Sequence, residues 1–160
     1  METLRASFEA LGFRRVRTYV QSGNVVFETE RTSPDDLARI IAEKISKDFG
    51  FSIPVVLRTS DDFERIMRDN PFLNRRRFDH SKLHVTFLSS TPAKDAEEKL
   101  GALNGLPDEF RIDGQEIYLY CPNGYGRSKL SNNALEKALT VGATTRNWKT
   151  VSTLARMSSE

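Results

Sequence analysis

Val16-Arg17-Thr18-Tyr19-Val20-Gln21-Ser22-Gly23-Asn24-Val25-Val26-Phe27-Glu28-Thr29 holds two β-rich runs, Val16 to Val20 and Val25 to Thr29, on either side of a short polar connection. Gly and Asn tolerate positive φ, so Gly23-Asn24 lets the chain reverse and the two runs predict an antiparallel hairpin. Ahead of it, Leu4, Phe8 and Leu11 fall at helical spacing and stop at Gly12, a common C-cap residue. Behind it, Ser33-Pro34-Asp35-Asp36 combines an N-cap, a first-turn proline and two acids that suit the positive end of a helix. Leu37, Ile40, Ile41, Ile45 and Phe49 then keep one apolar face, which predicts a helix from about 34 to 49.

Further along, Ile53 to Leu57 reads as a strand. Ser60-Asp61-Asp62 caps a helix carrying Phe63, Ile66 and Met67 that stops at Asn70-Pro71. Leu83 to Leu88 is a strand, and Thr91-Pro92 opens a helix running to about Leu103. Phe110 to Ile112 and Ile117 to Tyr120 flank Asp113-Gly114 as a second hairpin. Leu130 to Leu139 is amphipathic, and Arg146 to Met157 forms a last helix with Trp148, Val151 and Leu154 in register.

The order α-β-β-α-β-α, then β-α-β-β-α-α, makes this an α+β chain. It divides into two ferredoxin-like α/β sandwich units with antiparallel sheets, residues 1–74 and 75–160, joined at Arg75-Arg76-Arg77. Helices are expected on one face of each sheet, and the first unit lacks its opening strand.

The chain resembles a bacterial family, domain of unknown function 1697, nearly end to end. The resemblance is carried by Thr18-Tyr19-Val20-Gln21-Ser22-Gly23-Asn24-Val25-Val26-Phe27, by Gly126-Arg127-Ser128-Lys129-Leu130 and by Ala143-Thr144-Thr145-Arg146-Asn147-Trp148-Lys149-Thr150-Val151. It implies a fold and no activity. It also implies a strand and a Gly-containing loop ahead of the helix that starts here at Met1. Without that strand its neighbours expose backbone groups. Either Val25 to Thr29 meets Ile53 to Leu57 directly, or a second copy adds a strand across a two-fold axis, giving a homodimer through an exposed edge.

Apolar residues make up 38% of 160, enough for a modest core, and no stretch approaches the ~20 residues of a membrane span. The single Cys121 and the absence of an apolar signal core point to a cytoplasmic setting. Net charge is only +2, but residues 121–160 carry six Lys/Arg against two Asp/Glu. The C-terminal quarter is therefore the basic end.

That quarter holds the candidate ligand-binding residues: Gly124, Tyr125, Gly126, Arg127, Ser128 and Lys129 in a loop leading into a helix, with Thr145, Arg146 and Asn147 beyond. Glycines admit close backbone approach, a helix start presents N–H donors, and the cations suit an anion, although the Walker spacing is not met. A hairpin exit with solvated charges explains the same residues. Thr144 and Thr145 are read as caps of the last helix, and Trp148 as core before ligand stacker. Gln21-Ser22-Gly23-Asn24 needs no ligand to explain it, and three arginines at 75–77 are usually solvated.

Catalytic constellations are scarce. His80 and His84 are expected on one sheet face without the Glu or Cys a zinc site wants, and Cys121 lacks a base. No metal or cofactor is implied and the catalytic residues are unknown. The leading reading is a binding module for a phosphate-bearing ligand, a nucleotide or nucleic acid. The alternatives are a small-molecule enzyme using Lys129 or Tyr125 as acid or base, and a protein–protein interaction domain without a small ligand.

Overall fold

Residues 2–19, 23–74, 79–104 and 107–160 are described by the computed structural model, so the expectations for Gln21-Ser22 and for Arg75-Arg76-Arg77 lie outside the described residues. Helix α1 (Glu2–Ala10) stops where Gly12 turns to φ +87°, as its sequence predicts. Strands β1 (Arg14–Tyr19) and β2 (Asn24–Glu28) form the first hairpin, with Arg17 opposite Val26 and Tyr19 opposite Asn24. The ladder is interrupted between Arg14 and Arg17, where Arg15 adopts φ +50°.

Helix α2 (Pro34–Phe49) is built by the cues its sequence carries. The Ser33 hydroxyl accepts from the Asp36 N–H, Pro34 occupies the first turn, and Gly50 closes the helix at φ 79°. An N-cap of this kind contributes about 1 kcal/mol. The buried face of α2, Leu37, Ile41 and Ile45, packs with Phe8, Phe13 and Val16 into a first cluster. Phe13 stacks on Phe27 at 4.5 Å between ring centroids, and Phe8 meets Phe27 edge-on at 5.4 Å. Offset and edge-to-face ring pairs are the favoured geometries, so three phenylalanines fix the hairpin against α1.

Residues 53–57 depart from expectation. They belong to no strand, and among the described residues the first sheet consists of β1 and β2 alone. Val55 and Leu57 pack on the first cluster while Val56 packs on a second, so alternate side chains serve two cores and the segment acts as a strap between them. No ladder joins it to β2, and the direct pairing of Val25 to Thr29 with Ile53 to Leu57 does not form among the described residues.

The cap of α3 (Ser60–Asp69) is Thr59, one residue earlier than read. Its hydroxyl accepts from the Asp62 N–H, and the Asp62 carboxylate accepts from the Thr59 N–H. His80 lies in a 3-10 turn, His80–Lys82, rather than on the strand that carries His84.

Strands β3 (Leu83–Leu88), β4 (Glu109–Asp113), β5 (Glu116–Tyr120) and β6 (Ala143–Asn147) form one sheet in the order β4-β5-β3-β6, antiparallel at every step. Side chains alternate across it. Leu88, Ile117, Leu119 and Cys121 face α4 (Ala96–Leu103) and α5 (Asn132–Leu139); Leu83, Val85, Phe87 and Tyr118 face α3 and α6 (Trp148–Ser159). Helices therefore cover both faces of this sheet, not one.

Two boundaries move. Helix α4 starts at Ala96, well after Thr91-Pro92, and Thr144-Thr145-Arg146 is strand β6 rather than the start of the last helix. Asn147 caps α6 instead, its side chain accepting from the Thr150 N–H at 2.8 Å. Trp148 is buried, as read from its register with Val151.

Arg58 fastens the strap to the sheet. Its guanidinium donates to the Glu116 carboxylate at 2.7 Å and to the carbonyls of Leu57, Leu88 and Gln115 at 2.8 to 2.9 Å. The Arg58 side chain is 8% exposed and that of Glu116 1%, whereas Arg65, which reaches the other Glu116 oxygen at 2.7 Å, is 34% exposed. Removing one partner from a buried pair leaves an uncompensated charge, so Arg58→Ala is expected to cost about 3 to 5 kcal/mol. Arg65→Ala is expected to cost less, because water replaces it. Urea unfolding of the two variants checks this, and equal losses would show that burial does not set the value of Arg58.

Candidate functional site

Between β2 and the strap lies a groove of about 710 Å³. One bank is β2 and the residues after it, the other is residues 53–59, and the floor is Leu37, Ile41 and Ile45 of α2. A volume of this size is within the range of sites that hold ligands, and an apolar floor with a few polar groups is their usual lining. Ile53 is 42% exposed at the mouth of the groove, and Phe51, just before it in the chain, is 55% exposed.

Both banks carry backbone without ladder partners. β2 pairs only with β1, and no backbone hydrogen bond joins residues 53–57 to a neighbouring segment among the described residues. Arg146 reaches the groove from β6. Its Nε donates to the Asn24 side chain at 2.8 Å and its Nη1 to the Thr144 hydroxyl at 3.2 Å and the Thr145 carbonyl at 3.0 Å. Partial burial pulls its guanidinium down from the ordinary arginine value. Arg17 holds the same end by donating to the Glu160 carboxylate at 2.8 Å and the Met157 carbonyl at 2.7 Å.

The residues expected to form an anion site are distributed over the molecule. Tyr125 sits in a 3-10 turn, Tyr125–Arg127, and its ring stacks on His84 at 4.7 Å. Gly124, at φ 93°, donates its N–H to the Cys121 carbonyl, and Ser128 accepts from the Leu130 N–H at 3.0 Å. Gly126, Arg127 and Lys129 are exposed. Helix α5 begins only at Asn132, behind a Ser131 cap, so the Gly-rich loop does not feed directly into a helix start.

Thr145 shares a hydrogen bond with Thr86 at 2.8 Å and donates to Asn132 at 3.2 Å, on the α5 side of the sheet. Arg146, its neighbour in the strand, emerges on the other side. Of the nine, only Arg146 lines the groove. The groove's other residues were legible as helix face and hairpin, but no local cue indicates that their backbones stand apart.

A model of a protein family described as "Protein of unknown function (DUF1697)" matches residues 1–118. The chain belongs to the DUF1697 family. The match contains α1, the hairpin, α2 and the strap, hence both banks and the floor of the groove, whereas β6 and the loop at 124–129 lie beyond it. A solved structure described as a conserved bacterial protein, SP0830, from Streptococcus pneumoniae is similar at TM-score 0.68 and 20% identity, over 98% of this chain and 87% of that one. At that identity the likeness concerns the fold. A comparison with curated proteins finds no match.

The remaining chemistry of this DUF1697 chain is muted. Burial pushes the Cys121 thiol up to about 11, which keeps it protonated and unreactive at neutral pH. Among the described residues no cluster of three or more His, Cys, Asp or Glu is placed to hold a metal, and no helix is long and apolar enough to cross a membrane.

Burial pulls His84 below its ordinary 6.5, so the imidazole is held neutral against Tyr125. As pH falls, the unfolded chain takes up that proton first, and stability is lost on going below 6.5 toward the folded value. Melting temperatures from about pH 7 to about pH 5 should therefore fall more steeply in the native chain than in His84→Phe. Parallel curves would remove His84 as the cause.

Proposed function

We propose that this chain is a binding module whose ligand lies in the groove between β2 and the strap and presents an anionic group to the Arg146 end. The observation that carries this is the groove itself: an apolar floor between two backbone edges, with a partly buried arginine entering from a third element. A nucleotide phosphate suits that anionic group, and a buried, unpaired cysteine suits a cytoplasmic setting. Enzyme chemistry through Tyr125 has less support, since burial against His84 pushes its phenol up, away from acid–base work near neutrality. Lys129 is exposed and does not line the groove.

Two finer points of architecture belong to the same proposal. The order β4-β5-β3-β6, reached through β-α-β-β-α-β connections, supports reading residues 79–160 as a ferredoxin-like unit carrying an added helix. Ile66 and Phe72 pack into the cluster beside this sheet, which favours a unit boundary near Thr59 over one at residue 74.

A thermal-shift screen against nucleotides, metabolites and short peptides tests the reading, because a ligand of the native state raises its melting temperature. Run in parallel, Ile53→Trp should abolish the hits, since Ile53 lines the groove yet is exposed enough for an indole to be added without disturbing the core. Hits that persist in Ile53→Trp would move the ligand site elsewhere.

A further inference from the structure

We propose that the outer edge of β4 is a self-association surface, on which two copies of the chain pair as antiparallel strands about a two-fold axis at Ile112. Arg111 of each copy then lies opposite the partner's Asp113. This surface is separate from the groove: β4 is one margin of the four-stranded sheet, and β6, which carries Arg146 into the groove, is the other. Among the described residues β4 has a ladder with β5 alone, and that ladder runs unbroken from Glu109 opposite Tyr120 to Asp113 opposite Glu116.

The register decides which backbone groups face outward. Asp113 and Glu116 flank a two-residue turn, so they exchange both ladder bonds, and the bonded positions of β4 are Asp113, Arg111 and Glu109. Phe110 and Ile112 therefore point their N–H and C=O groups away from β5. Two side chains on outward carbonyls agree with this phase: Arg111 Nη1 donates to Phe110 at 2.8 Å and Asn104 Nδ2 to Asp108 at 2.9 Å. Ile112 has no such cover among the described residues.

A second copy fits because the side chains of this edge complement themselves. Glu109-Phe110-Arg111-Ile112-Asp113 alternates acid, apolar, base, apolar, acid. Phe110 and Ile112 pack on the α4 and α5 face, and the charged residues lie on the other, where Asp113 meets Arg65. Antiparallel registers that use the outward groups differ by steps of two residues. Centred on Arg111, such a pair would set Arg111 against the partner's Arg111 and Glu109 against the partner's Asp113, like charge on like. Centred on Phe110, it would need the main chain of Asp108, whose carbonyl Asn104 already holds in a buried position.

Centred on Ile112, the two Ile112 residues exchange a pair of main-chain bonds. Arg111 and Asp113 then form two symmetric cross-strand ion pairs, at positions where side chains approach closely. Arg111 is exposed and in no ion pair among the described residues. Asp113 is 54% exposed and its contact with Arg65 is long, 4.0 Å, because Arg65 sits on Glu116 at 2.7 Å. Charges on an edge strand commonly keep copies apart; this mixed set repels in one register and joins in another.

Sedimentation velocity of the full chain from about 1 µM to about 1 mM should show monomer passing to dimer, because a five-residue edge is a small contact. Amide exchange on the same samples locates the contact: the Ile112 N–H should slow at least about tenfold as dimer forms. Arg111→Asp and Asp113→Arg each set two like-charge pairs across the axis and should weaken the dimer at least about tenfold. Mixed in equal amounts, the two variants should recover a heterodimer, since every 111–113 contact between them is again opposite in sign. Both positions are exposed, and the exchange measurement needs neither variant.

A monomer at every concentration would overturn the proposal. So would a dimer whose Ile112 amide exchanges as fast as in the monomer, which would place the contact on another surface. Variants that weaken the dimer and do not recover on mixing would overturn the register centred on Ile112, and with it the pairing of Arg111 with the partner's Asp113.

Discussion

A carboxylate that is almost wholly buried, Glu116, is held between two guanidinium groups, and the placement of the strap follows from that contact. Taking these charges out of water is costly, and it is offset only because the geometry is good and the remaining donors are used. Arg58 meets that condition by spending its other N–H groups on three carbonyls, one at the end of β3 and one in the turn between β4 and β5. The stacking of its guanidinium near the Phe87 ring, 5.6 Å from the centroid, adds a cation–π contact. With its C-terminal end fixed there and Val56 turned into the second cluster, the strap stands off β2 instead of closing on it.

The groove is the result of that standoff. An edge without ladder partners avoids the penalty of buried, unsatisfied amides only where water reaches it. The groove's floor belongs to the best-specified helix of the chain, capped at both ends and packed against the phenylalanine trio. The floor is thus held in place by contacts within the chain itself.

The elements read well where a local cue decides them. Ser33-Pro34 and Gly50 fix α2, and Gly114 at φ +61° turns the second hairpin between Ile112 and Ile117. They read badly where a partner decides. Ala143-Thr144-Thr145-Arg146-Asn147 is polar enough to pass for a cap, and is a strand because β3 offers it a ladder from Ala143 opposite Leu88 to Asn147 opposite His84. Ile53-Pro54-Val55-Val56-Leu57 has the composition of a strand, and is not one because no edge reaches it. The placement of the strap is illegible for the same reason: Arg58 and Glu116 lie 58 residues apart, and nothing near either in sequence announces the other.

Strand β6 is governed by two clients at once. Thr145 answers to Thr86 and Asn132 on one side of the sheet, while Arg146 answers to Asn24 of the hairpin on the other. A displacement of the strand by a single residue would exchange these audiences, sending a guanidinium toward the Leu135 cluster and a hydroxyl toward the groove. Each layer thus polices the alignment that the other layer needs, and five mostly polar residues hold a unique position without an apolar stripe of their own to define it.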